Sequence, residues 1–260
     1  MEVLRIVHVI VFVKFVPEPQ GTPTLGPDHL LVREGADGAL DPGDEYGLEL
    51  ALRLTEEHGG EVTAISMGPE EATAAVRRAL AMGAGGGVLV TDPALRGADA
   101  LGTARVLAAA AARRPFDLAI AGVESTDGYT GTVPVSVAEL LGIPSVTAVR
   151  SLEVSEDGIR IERQTETGTE TVAAPLPSLV TVTAGANEPR YPSLKGIMAA
   201  KSRPLETLSL AKLGVDAALV APEQRVLVVT DVPAKTAGEI VGADEGVARI
   251  ADLLSEAKVI

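Results

Sequence analysis

From residue 7 to residue 141 the chain alternates short, unbroken apolar runs with longer segments whose apolar residues recur every three or four positions. Residues 7–16 are a β-branched run closed by Pro17. A run without polar alternation predicts a strand covered on both faces. A helix follows over 43–57, where Asp41 suits the cap, Pro42 the first position and Asp44 the positive end, and Tyr46, Leu50 and Leu54 share a face. The alternation continues with a strand over 62–66, a helix over 69–82, a strand over 88–90, an alanine-rich helix over 100–113, a strand over 118–121 and a helix over 133–141. This spacing predicts right-handed crossovers, and so an α/β fold: a Rossmann-like parallel sheet with helices on both faces.

After Pro144 the rhythm changes. Short strands over 146–154, 159–163 and 169–173, with Asp157-Gly158 and Thr167-Gly168 at the turns, predict a β-hairpin excursion before a strand over 179–183. Residues 205–235 hold little regular signal, and a last helix is expected over 244–256. The expected division is an α/β nucleotide-binding core over 1–205, with a loop at 184–204, and a C-terminal arm over 206–260. Aromatic residues are 2% of the chain and Trp is absent, so the core must be built from Val, Leu, Ile and Ala.

The formal net charge of −14 argues against nucleic acid as a partner, because phosphate backbones need clustered Lys and Arg. The absence of cysteine excludes disulfides, thiolate catalysis and Cys-ligated metal centres. The run over 6–16 is too short to span a membrane and lacks a basic leader, so no membrane insertion and a cytoplasmic location are expected. His8, His29 and His58 are scattered, no Ser/His/Asp set or carboxylate pair stands out, and no metal site is expected. The chain reads as a binder rather than a stand-alone enzyme.

In an open parallel sheet, ligands sit beyond the carboxyl ends of the strands. The most informative such end is Val123-Glu124-Ser125-Thr126-Asp127-Gly128-Tyr129-Thr130-Gly131-Thr132, which runs directly into a helix. Small, hydroxylated and Gly residues there can turn N–H groups onto a phosphate. An ordinary capped loop has the same pattern. Gly83-Ala84-Gly85-Gly86-Gly87 follows a helix and precedes a strand, the wrong polarity for a dinucleotide fingerprint, and reads as a helix end.

One loop does more than close a strand. Asn187-Glu188-Pro189-Arg190-Tyr191-Pro192-Ser193-Leu194-Lys195-Gly196-Ile197-Met198-Ala199-Ala200-Lys201 combines two prolines, a basic cluster and three large apolar side chains. It resembles the signature loop of the beta (small) subunit of electron transfer flavoprotein. Val13-Lys14-Phe15-Val16-Pro17, Ala79 through Ala84, Gly122 through Gly131, Glu162 through Pro177, Leu213-Gly214-Val215-Asp216 and Lys235-Thr236-Ala237-Gly238 are similar to family segments in the same order.

The resemblance implies a heterodimeric electron carrier. A larger alpha subunit holds the redox-active FAD, electrons come from primary dehydrogenases, typically acyl-CoA dehydrogenases, and they pass to a membrane-associated quinone oxidoreductase. The beta subunit binds AMP and docks the dehydrogenase, and its C-terminal arm reaches to the alpha subunit. The implied nucleotide positions are Phe12, Asp41, Pro42, Gly43, Asp44, Met67 and the loop from Val123 to Thr132. The implied docking positions are Arg190, Tyr191, Leu194, Lys195, Ile197 and Met198. Leu194 matches the leucine that enters an apolar pocket of the dehydrogenase, and Arg190, Lys195, Lys201 and Arg203 complement its rim. Ile197 and Met198 either join the apolar anchor or pack a short helix onto the domain. Some members bifurcate electrons through a second FAD in the AMP site and usually show an Asp-Gly-Asp-Thr-Ala-Gln-like loop. Here Tyr129 replaces the second acid, which favours AMP. A stand-alone adenine-nucleotide-binding module of the same fold is a further alternative.

Overall fold

A computed structural model describes residues 8–17, 24–33, 35–155, 157–230, 232–233, 238 and 240–260. Val7, residues 18–23 and the resembling segment at 235–237 lie outside them. The described chain divides into two units, 1–226 and 227–260.

The first unit is built on a nine-stranded sheet. In chain order its strands are β1 (His8–Phe12), β4 (Glu61–Met67), β5 (Gly86–Val90), β6 (Leu118–Gly122), β7 (Ser145–Ser155), β8 (Gly158–Thr165), β9 (Gly168–Ala174), β10 (Ser178–Val182) and β11 (Leu205–Leu208). A separate antiparallel pair joins β2 (Phe15–Pro17) to β3 (Gly38–Leu40). The spatial order is β11-β5-β4-β1-β6-β10-β7-β8-β9. Neighbours from β11 through β7 are parallel, and β7, β8 and β9 form the antiparallel excursion.

Side chains of β1 alternate between two cores. Val9 and Val11 join the core under α1 (Pro42–His58) and α2 (Thr73–Met82). Ile10 and Phe12 join the core under α3 (Ala100–Ala111) and α4 (Val133–Leu141). The unbroken β-branched run thus supplies apolar cover to both faces, as its lack of alternation requires. The glycine-rich run at 83–87 ends α2, where the Gly83 N–H donates to the carbonyls of Ala79 and Leu80.

Three expectations are corrected. The strand expected over 7–16 breaks after Phe12. The Lys14 N–H donates to the Asp44 carboxylate at 2.8 Å, and the Lys14 carbonyl accepts from the Asp41 N–H at 2.9 Å, so the start of α1 draws the chain out of the sheet. The helix expected from 69 starts as a 3-10 turn at Glu70–Ala72 before α2. The arm expected from 206 belongs to the first unit through Val226. Residues 205–208 add β11 to the sheet edge, α5 (Leu194–Ala200) and α6 (Leu210–Leu213) flank it in sequence, and Leu208, Leu210 and Val220 are buried. Only 227–260 forms the second unit, which contains α7 (Ala243–Glu256). No helix among the described residues is long and apolar enough to cross a membrane.

Candidate nucleotide and docking sites

The strand order reverses at β1: β4 and β5 lie to one side and β6 to the other. A doubly wound sheet opens a crevice beyond the carboxyl ends of the strands at such a switch point. The start of α1 and the loop after β6 meet there. Asp41 is fully buried and caps α1 by accepting from the Gly43 N–H at 2.8 Å. Its other carboxyl oxygen accepts from the Thr126 N–H at 2.7 Å and the Thr126 hydroxyl at 2.9 Å. Asp44 ties the segment just after β1 to the end of β6, accepting from the Lys14 N–H at 2.8 Å and the Gly122 N–H at 3.2 Å. Burial and the neighbouring Asp41 push the Asp44 carboxyl up to about 7, against the pull of the Lys14 and Gly122 N–H groups.

The loop itself is held by Asp127. Its side chain is 7% exposed and takes the Lys14 ammonium at 2.6 Å together with the Arg33 guanidinium. Burial alone would raise Asp127, but the two cations outweigh it and hold the carboxyl below its ordinary range. Lys14 also donates to the Ser125 hydroxyl at 3.0 Å. Lys14 and Arg33 thus pair with one carboxylate, while Asp41 and Glu124 add negative charge to the same loop. Tyr129 and Gly131 take left-handed backbone angles, at φ 48° and 61°, just before α4. The first turn of α4 has no side-chain cap. A helix N-terminus without a side-chain cap leaves N–H groups that suit a phosphate group.

Of the expected nucleotide positions, Gly43, Asp44 and Thr126 each donate a hydrogen bond to Asp41. Phe12 is 6% exposed with its ring in the α3-side core, and Met67 packs partly buried against the same core. A ligand at this end therefore meets Phe12 through its backbone. Pro42, Glu124, Gly128, Tyr129, Thr130 and Thr132 are exposed. Lys14 and Arg33 were absent from the expected set. Lys14 sits at the strand end and was legible by position, but the approach of Arg33 depends on a 94-residue separation in sequence. Two shallow clefts of about 550 and 420 Å³, lined by residues such as His8 and Arg114, lie at the opposite end of the sheet.

The loop after β10 is the second candidate site. Tyr191 is 89% exposed, Leu194 77% and Met198 66%, and Ile197 and Lys195 are also exposed. Met198 therefore stands out to solvent, while Ile197, 47% exposed, is partly covered. Ser193 caps α5 by accepting from the Gly196 N–H at 3.0 Å. Gly196 lies against α2 so closely that a β-carbon there would come within 2.3 Å of the Ala81 carbonyl oxygen. Two of the cations expected at the rim are already engaged. Arg190 is paired with Glu49 and Glu56 of α1, and Arg203 donates to the carbonyls of Leu80 and Ala84, both at 2.7 Å. Lys195 and Lys201 remain as exposed cations on α5 and at its end.

The sequence model of the electron transfer flavoprotein domain matches residues 28–213. The electron transfer flavoprotein subunit beta of Mycobacterium leprae is 42% identical over 249 residues, covering 92% of this chain and 93% of that protein. The chain belongs to the electron transfer flavoprotein beta-subunit family. The family protein of Bacillus subtilis is 39% identical over 231 residues, covering 87% and 90% of the two chains. That of Megasphaera elsdenii is 33% identical over 221 residues, covering 82% of each. In this electron transfer flavoprotein family member the matched region takes in the α1 start, the loop after β6 and the whole exposed loop with α5.

Proposed function

We propose that the chain is the small subunit of a heterodimeric electron carrier in the cytoplasm. It pairs with an alpha subunit that holds most of the contacts to FAD. The complex takes electrons from primary dehydrogenases such as acyl-CoA dehydrogenases and passes them to a quinone oxidoreductase of the respiratory chain. This chain contributes AMP binding and dehydrogenase docking, and catalyses no reaction by itself.

The observation that carries the docking role is Leu194, a large apolar side chain 77% exposed at the head of α5. Tyr191 and Met198 extend the apolar surface, and Lys195 supplies charge at its edge. Such a cluster has the anatomy of an interface hot spot, with an apolar anchor and a polar rim. Prolines 189 and 192 restrict the loop before docking and so reduce the entropy lost on binding.

The AMP role rests on the crevice at the switch point. The loop from Val123 to Thr132 and the start of α4 would hold the phosphate, with Lys14 supplying charge. The adenine would lie towards the backbone of Phe12 and the Met67 side chain. FAD, when bound in the complex, supplies the electron acceptance and release. The contribution of this chain is to fill and close the crevice and to bring the dehydrogenase to the complex. The unit from Leu227 exposes Leu227, Val228, Val247, Ile250 and Leu253, apolar surface that suits burial against an alpha subunit and that a stand-alone nucleotide module does not need. Tyr129 in place of an acid speaks for AMP over a second, bifurcating FAD.

Leu194→Ala in the purified complex tests the reading. Flavin reduction by a reduced acyl-CoA dehydrogenase should slow at least tenfold at sub-saturating concentrations while FAD and AMP content stay unchanged. An unchanged rate, or a loss of FAD, contradicts the docking role.

A further inference from the structure

The exposed loop is tied down on both sides of its apex. On the upstream side, its side-chain hydrogen bonds among the described residues go to a single stripe of α1. The Asn187 amide donates to the Tyr46 carbonyl at 2.9 Å, and the Arg53 guanidinium reaches the Glu188 carbonyl at 3.4 Å. Arg190 donates to Glu49 through its backbone N–H at 3.1 Å, its Nε at 2.8 Å and its terminal nitrogen at 3.1 Å. It also grips both carboxyl oxygens of Glu56, one of them at 3.0 Å. Positions 46, 49, 53 and 56 are spaced by three, four and three, which places them on one face of a helix. On the downstream side, α5 is seated on α2 through Gly196 and through Arg77, which donates to the carbonyls of Ala200 and Arg203. Tyr191 and Leu194 stand between these two anchorages.

Glu49 is the centre of the upstream hold. Its side chain is 3% exposed, and its two oxygens receive four hydrogen bonds, three from Arg190 and one from the Arg53 Nε at 2.7 Å. Burial pushes its carboxyl up, yet the bonds from Arg190 and Arg53 prevail and hold it below the ordinary glutamate range. The apolar face that α1 gives the sheet core is made by Leu48, Ala51, Leu52 and Leu54 and does not include this carboxylate.

We infer that Glu49 is a positioning residue for dehydrogenase docking: through Arg190 it fixes the loop in the shape that presents Tyr191 and Leu194. This rests on the docking role proposed for the loop. A loop held in its bound shape loses less entropy on association, so releasing it weakens the encounter complex without altering the electron-transfer step once docked. Glu49→Gln removes the charge and replaces one acceptor by an NH2 group. Either orientation of that amide sets a donor against donors of Arg190 or Arg53.

The test uses the purified complex with its alpha subunit and an acyl-CoA dehydrogenase reduced by its acyl-CoA, comparing wild type, Glu49→Gln, Arg190→Lys and Leu194→Ala. Glu49→Gln is expected to raise the apparent KM for the carrier about tenfold, a loss the size of one well-ordered contact, with kcat and FAD and AMP content unchanged. Amide exchange should accelerate over 187–193 and not in α1. Arg190→Lys keeps the charge but loses the planar fork, and should fall between. It also serves if Glu49→Gln does not fold. If Leu194→Ala raises KM while Glu49→Gln and Arg190→Lys do not, the positioning role is overturned and the docking role stands. If Leu194→Ala has no effect on KM, the docking role falls and this inference with it.

Discussion

Thr126 is bound to Asp41 twice, by its backbone N–H at 2.7 Å and by its hydroxyl at 2.9 Å, across a separation of 85 residues. One carboxylate therefore caps α1 with one oxygen and fixes the loop after β6 with the other. Asp41→Ala should remove the cap and leave the Thr126 N–H without its acceptor, at a combined cost of about 2–4 kcal/mol. Thr126→Val removes only the hydroxyl and should cost about 1 kcal/mol. Urea midpoints of the complex check both, and Asp41→Ala should also lower the AMP retained on purification.

Asp44 accepts N–H groups on both oxygens, so its neutral amide analogue is not a mild change. Asp44→Asn must turn an NH2 towards the N–H of Lys14 or of Gly122. A loss of about 1–3 kcal/mol is expected even though a buried charge has been removed. Unchanged or raised stability would mean that these two bonds do not hold the switch point together.

The same residue gives a pH dependence. Asp44 titrates at about 7 when folded, against 3.8 for an unperturbed aspartate. Between these values the folded protein keeps a proton that the unfolded chain has lost, so the contribution of Asp44 to stability falls as pH rises from about 4 to about 7. Asp127 is shifted the other way, and its contribution is complete above 3.8 and fades as pH drops below it. Carboxyl carbon NMR titration should place Asp44 near 7 and Asp127 below 3.8. An Asp44 midpoint near 4 would contradict the account of its burial.

Gly196 marks the closest approach of α5 to α2. A methyl group there would come within 2.3 Å of the Ala81 carbonyl oxygen, so Gly196→Ala must lift α5 from its seat. A cost of about 1–3 kcal/mol is expected, as for other overpacked contacts, together with slower electron transfer from the dehydrogenase. A crystal structure of the variant with α5 unmoved would refute the seating argument.

Most of the parallel sheet was legible because its signals are local. The β-branched run at β1, the Asp41-Pro42 start of α1 and the glycine ends of α1 and α2 each act within a few residues. What escaped prediction depends on distant partners. The break at Val13-Lys14 follows from Asp41 and Asp44, about thirty residues on, taking the hydrogen bonds of Lys14. Residues 205–208 read as irregular because Leu-Glu-Thr-Leu is too short to reveal its place on the edge of β5. The loop after β6 stood out by its small residues before a helix. Arg33 did not, since nothing near it in sequence points to Asp127. The exposed loop after β10 stood out by resemblance, but the engagement of Arg190 with Glu49 and Glu56 did not. The Glu49-to-Arg53 spacing of four was a visible hint of an ion pair on α1 and gave no sign of the third partner.

The nucleotide inventory of the complex tests the central claim most directly. The chain is co-expressed with its alpha subunit, purified and denatured, and the released FAD and AMP are quantified. One FAD and one AMP per heterodimer is the predicted result. Two FAD and no AMP, or a chain that forms no complex and releases ATP alone, would contradict it.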